Sequence, residues 1–181
     1  MMAKPSIEPG IFQKNRSKFM DVSKDTEHDV SMINDTTIPV YNFDGIMREY
    51  CKLHSISSQH SSDALYVDEN RIAFIEFKNG KNEEIKPKDI IFKLYDSLMV
   101  LFDKGMGLEW CRKDYEGNIS YSRSNIDFIL VIRDESDPRE KIEGHVSKRS
   151  DYGTGFVKGY LYHDVKIYSP TEFDHYFLQQ I

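Results

Sequence analysis

Asp63-Ala64-Leu65-Tyr66-Val67-Asp68-Glu69-Asn70-Arg71-Ile72-Ala73-Phe74-Ile75-Glu76-Phe77-Lys78 is the stretch whose reading decides the fold. Two runs rich in strand formers, Asp63 to Val67 and Arg71 to Lys78, flank the polar Asp68-Glu69-Asn70, the pattern of a β-hairpin. Leu65, Val67, Ile72 and Phe74 lie on one side of it, and Ala64, Tyr66, Ala73, Ile75 and Phe77 on the other. A hairpin apolar on both faces belongs inside a sheet that is covered twice. The expected fold class is therefore α/β, a mixed central β-sheet flanked by helices on both faces.

Upstream, Asn42 or Asp44 can cap a helix, because Ile46, Met47, Tyr50, Cys51 and His54 follow at helical spacing; the Ser-rich stretch from Ser55 to Ser62 ends it. Residues 1–40 are polar and show no sustained period, so they are expected to form an N-terminal arm with a short strand near Thr37 to Tyr41. Downstream, Pro87 suits the first turn of a helix whose apolar stripe runs from Ile90 to Phe102 and stops at Lys104-Gly105. Ile126 to Ile132 is an almost wholly apolar run, expected as a buried strand in a parallel position. Residues 134–159 are polar and glycine-bearing and are expected to be a mobile excursion. A strand from Tyr160 to Tyr168 then leads into Ser169-Pro170-Thr171-Glu172, a capping box that opens a terminal helix. The expectation is one domain over 41–181, with a core over 41–133 and a strand–helix extension over 160–181.

Composition narrows the function. The chain has 181 residues, a net charge of −6 from 24 Lys and Arg against 30 Asp and Glu, and no charged tail, which argues against coating nucleic acid by bulk charge. Its longest apolar runs, Leu98 to Phe102 and Phe128 to Ile132, are far short of a membrane span. The opening Met1-Met2-Ala3-Lys4-Pro5 has no apolar stretch before a small-residue cleavage site, so a cytoplasmic location is expected. Cys51 and Cys111 are too few for a disulfide framework and are expected as reduced thiols. No P-loop, dinucleotide fingerprint, serine elbow or zinc-protease helix is present.

The chemistry follows from the hairpin register. With Glu69 and Asn70 at the loop centre, Val67 meets Ile72, Leu65 meets Phe74, and Asp63 meets Glu76. Two carboxylates whose β-carbons lie about 4.5–5.5 Å apart repel each other, so a positive partner is required. Lys78 projects to the same face because strand side chains alternate. Two acids and an amine suit a hard cation such as Mg²⁺, which takes one or two carboxylates plus waters and phosphate oxygens. Phosphodiester hydrolysis uses such parts.

Asp63, twelve intervening residues, and Glu76-Phe77-Lys78 on an apolar strand resemble the signature of the PD-(D/E)xK nuclease superfamily, with Ser62 where the motif's proline would stand. The resemblance implies a restriction-endonuclease-like core of helix, three strands, helix and strand over residues 41–133. It implies Asp63 and Glu76 as metal ligands, with Asp63, Glu76 and Lys78 as the catalytic set. Glu49 would match the additional acid that many members supply from the first helix, and Lys93 a substrate-contacting position on the later helix. Lys81, in a cationic stretch with Lys86 and Lys88, is a further candidate for phosphate contact. The implied activity is a nuclease that uses Mg²⁺, with Mn²⁺ as a substitute, cuts nucleic acid with DNA favoured over RNA, and leaves 5′-phosphates. Small size and net acidity point to a homodimer or a partner protein that supplies much of the substrate grip. The rival readings are a non-catalytic relative serving as a nucleic-acid- or protein-binding subunit, and an acidic immunity-type protein that mimics nucleic acid. Glu84-Ile85-Lys86 repeats the short motif without a strand around it. Of the scattered histidines, only His60 lies close enough to Asp63 to reach the site.

Overall fold

The hairpin forms with the expected register: Leu65 lies opposite Phe74 and Val67 opposite Ile72. The computed structural model describes residues 10–26, 28–68, 71–80, 85–103, 120–133 and 152–181. The hairpin strands, β5 (Ala64–Val67) and β6 (Ile72–Asn79), sit at the middle of a six-stranded sheet. Its spatial order is β1 (Arg16–Lys18), β4 (Pro39–Asn42), β5, β6, β7 (Ile126–Arg133) and β8 (Asp164–Tyr168). The pairs from β1 to β6 are antiparallel, while β6, β7 and β8 run parallel. A separate small ribbon joins β2 (Lys24–Asp25) to β3 (Val30–Ser31).

Both faces are covered, as two apolar faces require. Leu65, Ile72 and Phe74 pack with Phe128 and Leu130 under α3 (Phe43–His54) and α4 (Pro87–Phe102). Ala64, Tyr66, Ala73, Ile75 and Phe77 pack on the other side with Phe19, Phe173 and Phe177. Those rings come from α2 (Phe19–Val22), from α6 (Pro170–Tyr176) and from the position after it. The capping box at the start of α6 is present, with Ser169 Oγ accepting from the Glu172 N–H at 3.2 Å and Glu172 Oε2 accepting from the Ser169 N–H at 2.7 Å. Asn42 is the cap of α3, its Oδ1 accepting from the Gly45 N–H at 2.9 Å, which leaves Asp44 for another task.

Three expectations change. Residues 10–40 are not an arm: β1 is an edge of the central sheet, and Phe12 of α1 (Gly10–Lys14) and Phe19 are fully buried. These elements span only two to five residues, too short to show a period in sequence. Gly45 records the packing, since a Cβ there would lie 2.0 Å from Asn15 Oδ1. Second, the strand beside β5 is β4, which precedes α3; residues 55–62 contain no strand, so the implied run of three strands after the first helix is not met. Third, residues 160–163 form a turn rather than strand, and Tyr162 is fully buried with its hydroxyl donating to the Leu94 carbonyl at 2.7 Å. The described part of the expected excursion, 152–159, packs onto α4, where a Cβ on Gly153 would touch Pro87 and Ile91. The short α5 (Ser120–Asn125) leads into β7. Lys104-Gly105 and Cys111 lie outside the described residues; Cys51 is a buried free thiol.

Candidate active site

Register and alternation bring the predicted trio together. Asp63 immediately precedes β5, opposite Glu76, and its Oδ2 accepts from the Phe77 N–H at 2.6 Å. Glu76 is fully buried, and its Oε1 takes the Lys78 ammonium at 2.7 Å. A second ammonium reaches the same oxygen: Lys93 Nζ, from α4, is 2.6 Å from Glu76 Oε1 and 3.9 Å from Asp63 Oδ1. Glu76 Oε2 has no hydrogen-bond partner among the described residues. A buried carboxylate with one oxygen doubly served and the other orphaned is unusual, because burial makes each unmet acceptor costly.

The cluster is partly open to solvent. The side chains of Lys78, Asp63 and Lys93 are 32%, 20% and 16% exposed, whereas Glu76 lies behind them at 0%. Burial pushes the Asp63 carboxyl well above the ordinary carboxylate range, and the Glu76 charge adds to the rise; Lys93, the Phe77 N–H and Asp44 act as smaller influences. For Lys93, burial works against the charge, yet Glu76, Asp63 and Asp44 outweigh it and raise the amine's pKa. Lys93 is therefore an ammonium at neutral pH.

Asp44 is the residue missed in sequence. Its position in the first turn of α3 suggested only a cap, but Asn42 fills that role, and Asp44 instead accepts a short hydrogen bond from the Ser61 hydroxyl on the approach to Asp63. Glu49 is not at the site. It accepts from Asn15 Nδ2 at 3.2 Å and stands 3.8 Å from Lys14 Nζ, facing α1. Five residues separate Asp44 from Glu49, roughly 140° around a helix, so one helix cannot aim both acids at the same point. Lys81 lies outside the described residues.

Ser62, where the resemblance would place a proline, is tied to α4. Its N–H donates to Ser97 Oγ of α4 at 3.0 Å, and the two hydroxyls are 3.2 Å apart in a buried position. Proline has no N–H to give. His60 N–H also donates to Asp96 Oδ2 at 3.1 Å, so α4 holds His60 and Ser62 while Asp44 of α3 holds Ser61 between them. Lys93, Asp96 and Ser97 stand at i, i+3 and i+4, a polar stripe beside the apolar one that helical spacing could have disclosed.

Three acids, Asp44, Asp63 and Glu76, meet two amines, Lys78 and Lys93, so the cluster is short of positive charge when all are ionised. A proton on Asp63 is one remedy and a divalent cation is another. The orphaned Glu76 Oε2 beside the partly exposed Asp63 fits the one or two carboxylates that Mg²⁺ accepts. Among the described residues no group of three or more His, Cys, Asp or Glu side chains is placed to hold a metal ion together, so a cation here would rest on at most two carboxylates. No helix among the described residues is long and apolar enough to cross a membrane. No protein-family model, characterised protein or solved structure matches the chain.

Proposed function

We propose that the protein is a divalent-metal-dependent nuclease of restriction-endonuclease-like kind, hydrolysing phosphodiester bonds in DNA rather than RNA. The observation that carries this is Glu76, buried beside Asp63 with two ammonium groups on one oxygen and none on the other. Asp63 and Glu76 would hold the cation, and Asp44, in place of Glu49, adds negative charge from α3. When bound, Mg²⁺ or Mn²⁺ polarises the phosphate and offsets its charge.

The chain's own groups do the remaining work. Lys78, the most exposed of the trio at 32%, orients the attacking water at the mouth of the site. Lys93 stays charged and serves as a fixed positive charge for the non-bridging phosphate oxygens, not as a base. Water attacks phosphorus and gives up a proton to solvent, the P–O3′ bond breaks, the 3′-oxygen leaves and is protonated to the alcohol, and the phosphate stays on the 5′-oxygen of the downstream fragment.

A second reading has its own observation. Two lysines neutralise Glu76 without any metal, which suits a non-catalytic binding subunit of the same architecture. Incubating the protein with plasmid, linear and single-stranded DNA and with RNA, in Mg²⁺, Mn²⁺ or chelator, separates the two. The nuclease reading expects metal-dependent cleavage that falls at least about a hundredfold in Lys78→Ala and Asp63→Ala. It expects a loss of about tenfold in Asp44→Asn, and less than about twofold in Glu49→Ala. Cleavage that survives chelator and both alanine substitutions, or no cleavage of any substrate, would sink it.

A further inference from the structure

We infer that His60, Phe92 and Lys88 form a platform for an unpaired base, so that the site takes single-stranded or frayed nucleic acid ahead of intact duplex. This rests on the nuclease reading of the acid cluster. The His60 ring stacks on Phe92 with centroids 5.0 Å apart and planes inclined by 24°. Lys88 Nζ lies over the same ring, 5.3 Å from its centroid. The stack is open to solvent, with Phe92 39% and the His60 side chain 49% exposed.

An exposed phenylalanine alone means little, since much of any protein surface is apolar. Its place is what matters. Phe92 is the neighbour of Lys93, whose ammonium is 2.6 Å from Glu76, and His60 precedes Asp63 by three residues. Along the chain, Phe92 is one residue from Lys93 and His60 three residues from Asp63, at most about 4 and 11 Å of backbone. Asp96 of the same helix holds His60 twice, its Oδ2 accepting from the backbone N–H at 3.1 Å and lying 3.5 Å from the imidazole Nδ1, so both the backbone and the ring of His60 are tethered beside Phe92.

The chemistry of the occupant follows. Aromatic faces next to a cation fit a nucleobase and its phosphate, because every base has a π face and every linkage a negative charge. In a duplex those faces are hidden between neighbours. A base reaches such a platform only when it is unpaired. With the base on the stack, the flexible Lys88 side chain can turn from the ring to the flanking phosphate, and the next linkage lies toward Lys93 and Asp63.

The test is fluorescence anisotropy in chelator, with fluorescein-labelled oligothymidylate and with a blunt duplex. Phe92→Ala is expected to weaken oligothymidylate binding about tenfold and duplex binding less than about twofold. Phe92→Leu, which keeps the apolar bulk and removes the π face, should lose as much, while Phe92→Trp should bind and its added indole emission should be quenched. Met99→Ala, at an exposed position further along α4, serves as the control and should bind like the parent. Equal losses for strand and duplex, no loss in Phe92→Ala, or no oligothymidylate binding by the parent overturns the platform; the second and third are what docking of a protein on this face predicts. The two proposals fail separately. Metal-dependent cleavage with unchanged Phe92→Ala binding removes the platform alone, and Phe92-dependent strand binding with cleavage indifferent to Lys78 and Asp63 removes the nuclease reading alone.

Discussion

Glu76 and Asp127 are both buried carboxylates in the parallel half of the sheet, one toward the carboxyl-terminal end of β6 and the other at the amino-terminal end of β7. Asp127 is evenly served: Oδ1 meets His163 Nδ1 at 2.8 Å, and Oδ2 meets Lys166 Nζ at 3.1 Å. At Glu76 both amines crowd Oε1 and leave Oε2 unmet. On the nuclease reading proposed above, Asp127 serves the fold with both oxygens satisfied, whereas Glu76 is left one partner short, a cost that a bound ligand would offset. The short-changed acid also stands at the end of the parallel strands where open α/β sheets gather ligands.

The comparison breaks most readily at Lys93. Lys93→Met removes the more buried of Glu76's two cations and leaves two buried acids facing Lys78 alone. The expected loss is about 3 kcal/mol, a fall in Tm of roughly 6–12 °C for a chain of this size. Thermal unfolding in chelator measures it; a fall of only a degree or two would show that Glu76 does not depend on α4.

Asp127→Asn probes the other end. Its partners are exposed, His163 by 59% and Lys166 by 31%, so solvent already screens them and the expected cost is about 1 kcal/mol. Cleavage of single-stranded DNA should stay within about twofold of the parent. A tenfold loss of rate would erase the distinction between the two ends.

A stability effect of similar size has the opposite sign. Because burial and Glu76 raise the Asp63 pKa in the fold, the native state holds its proton more tightly than the unfolded chain does. Between the ordinary carboxylate value and the raised one the native state binds more protons, so stability falls as pH climbs through that window. Asp63→Asn should therefore flatten this slope and gain roughly 1 kcal/mol at pH 8 while abolishing cleavage. Urea unfolding in chelator at pH 5 and pH 8 reads both. A variant less stable than its parent at the higher pH would mean that ionised Asp63 contributes to the fold.

Particular residues show why some of this was legible and some was not. Asp63, Glu76 and Lys78 could be placed together because a two-residue period and one turn fix every position of a hairpin, and the observed register of Leu65 with Phe74 follows the same arithmetic. The α3 cap, the span of α4 from Pro87 to Phe102 and the parallel position of β7 were legible for similar local reasons. Glu49 and Asp44 were confused because helix propensity is indifferent to which face turns inward; Asn15 and Ser61, remote in sequence, claim one acid each. Phe12 and Phe19 were lost inside a polar stretch whose elements are too short to show a pattern.

By itself the sequence determined the hairpin, its two apolar faces, and the meeting of two carboxylates with an amine, since these depend on alternation and neighbouring residues. Only the tertiary structure decided that α4 sends a second ammonium to Glu76, that Asp44 rather than Glu49 faces Asp63, and that Glu76 Oε2 is left without a partner. Those outcomes turn on how helices seat against a sheet, and burial makes each seating unforgiving: a charge taken out of water is paired by whatever distant residue arrives, or stays unpaired.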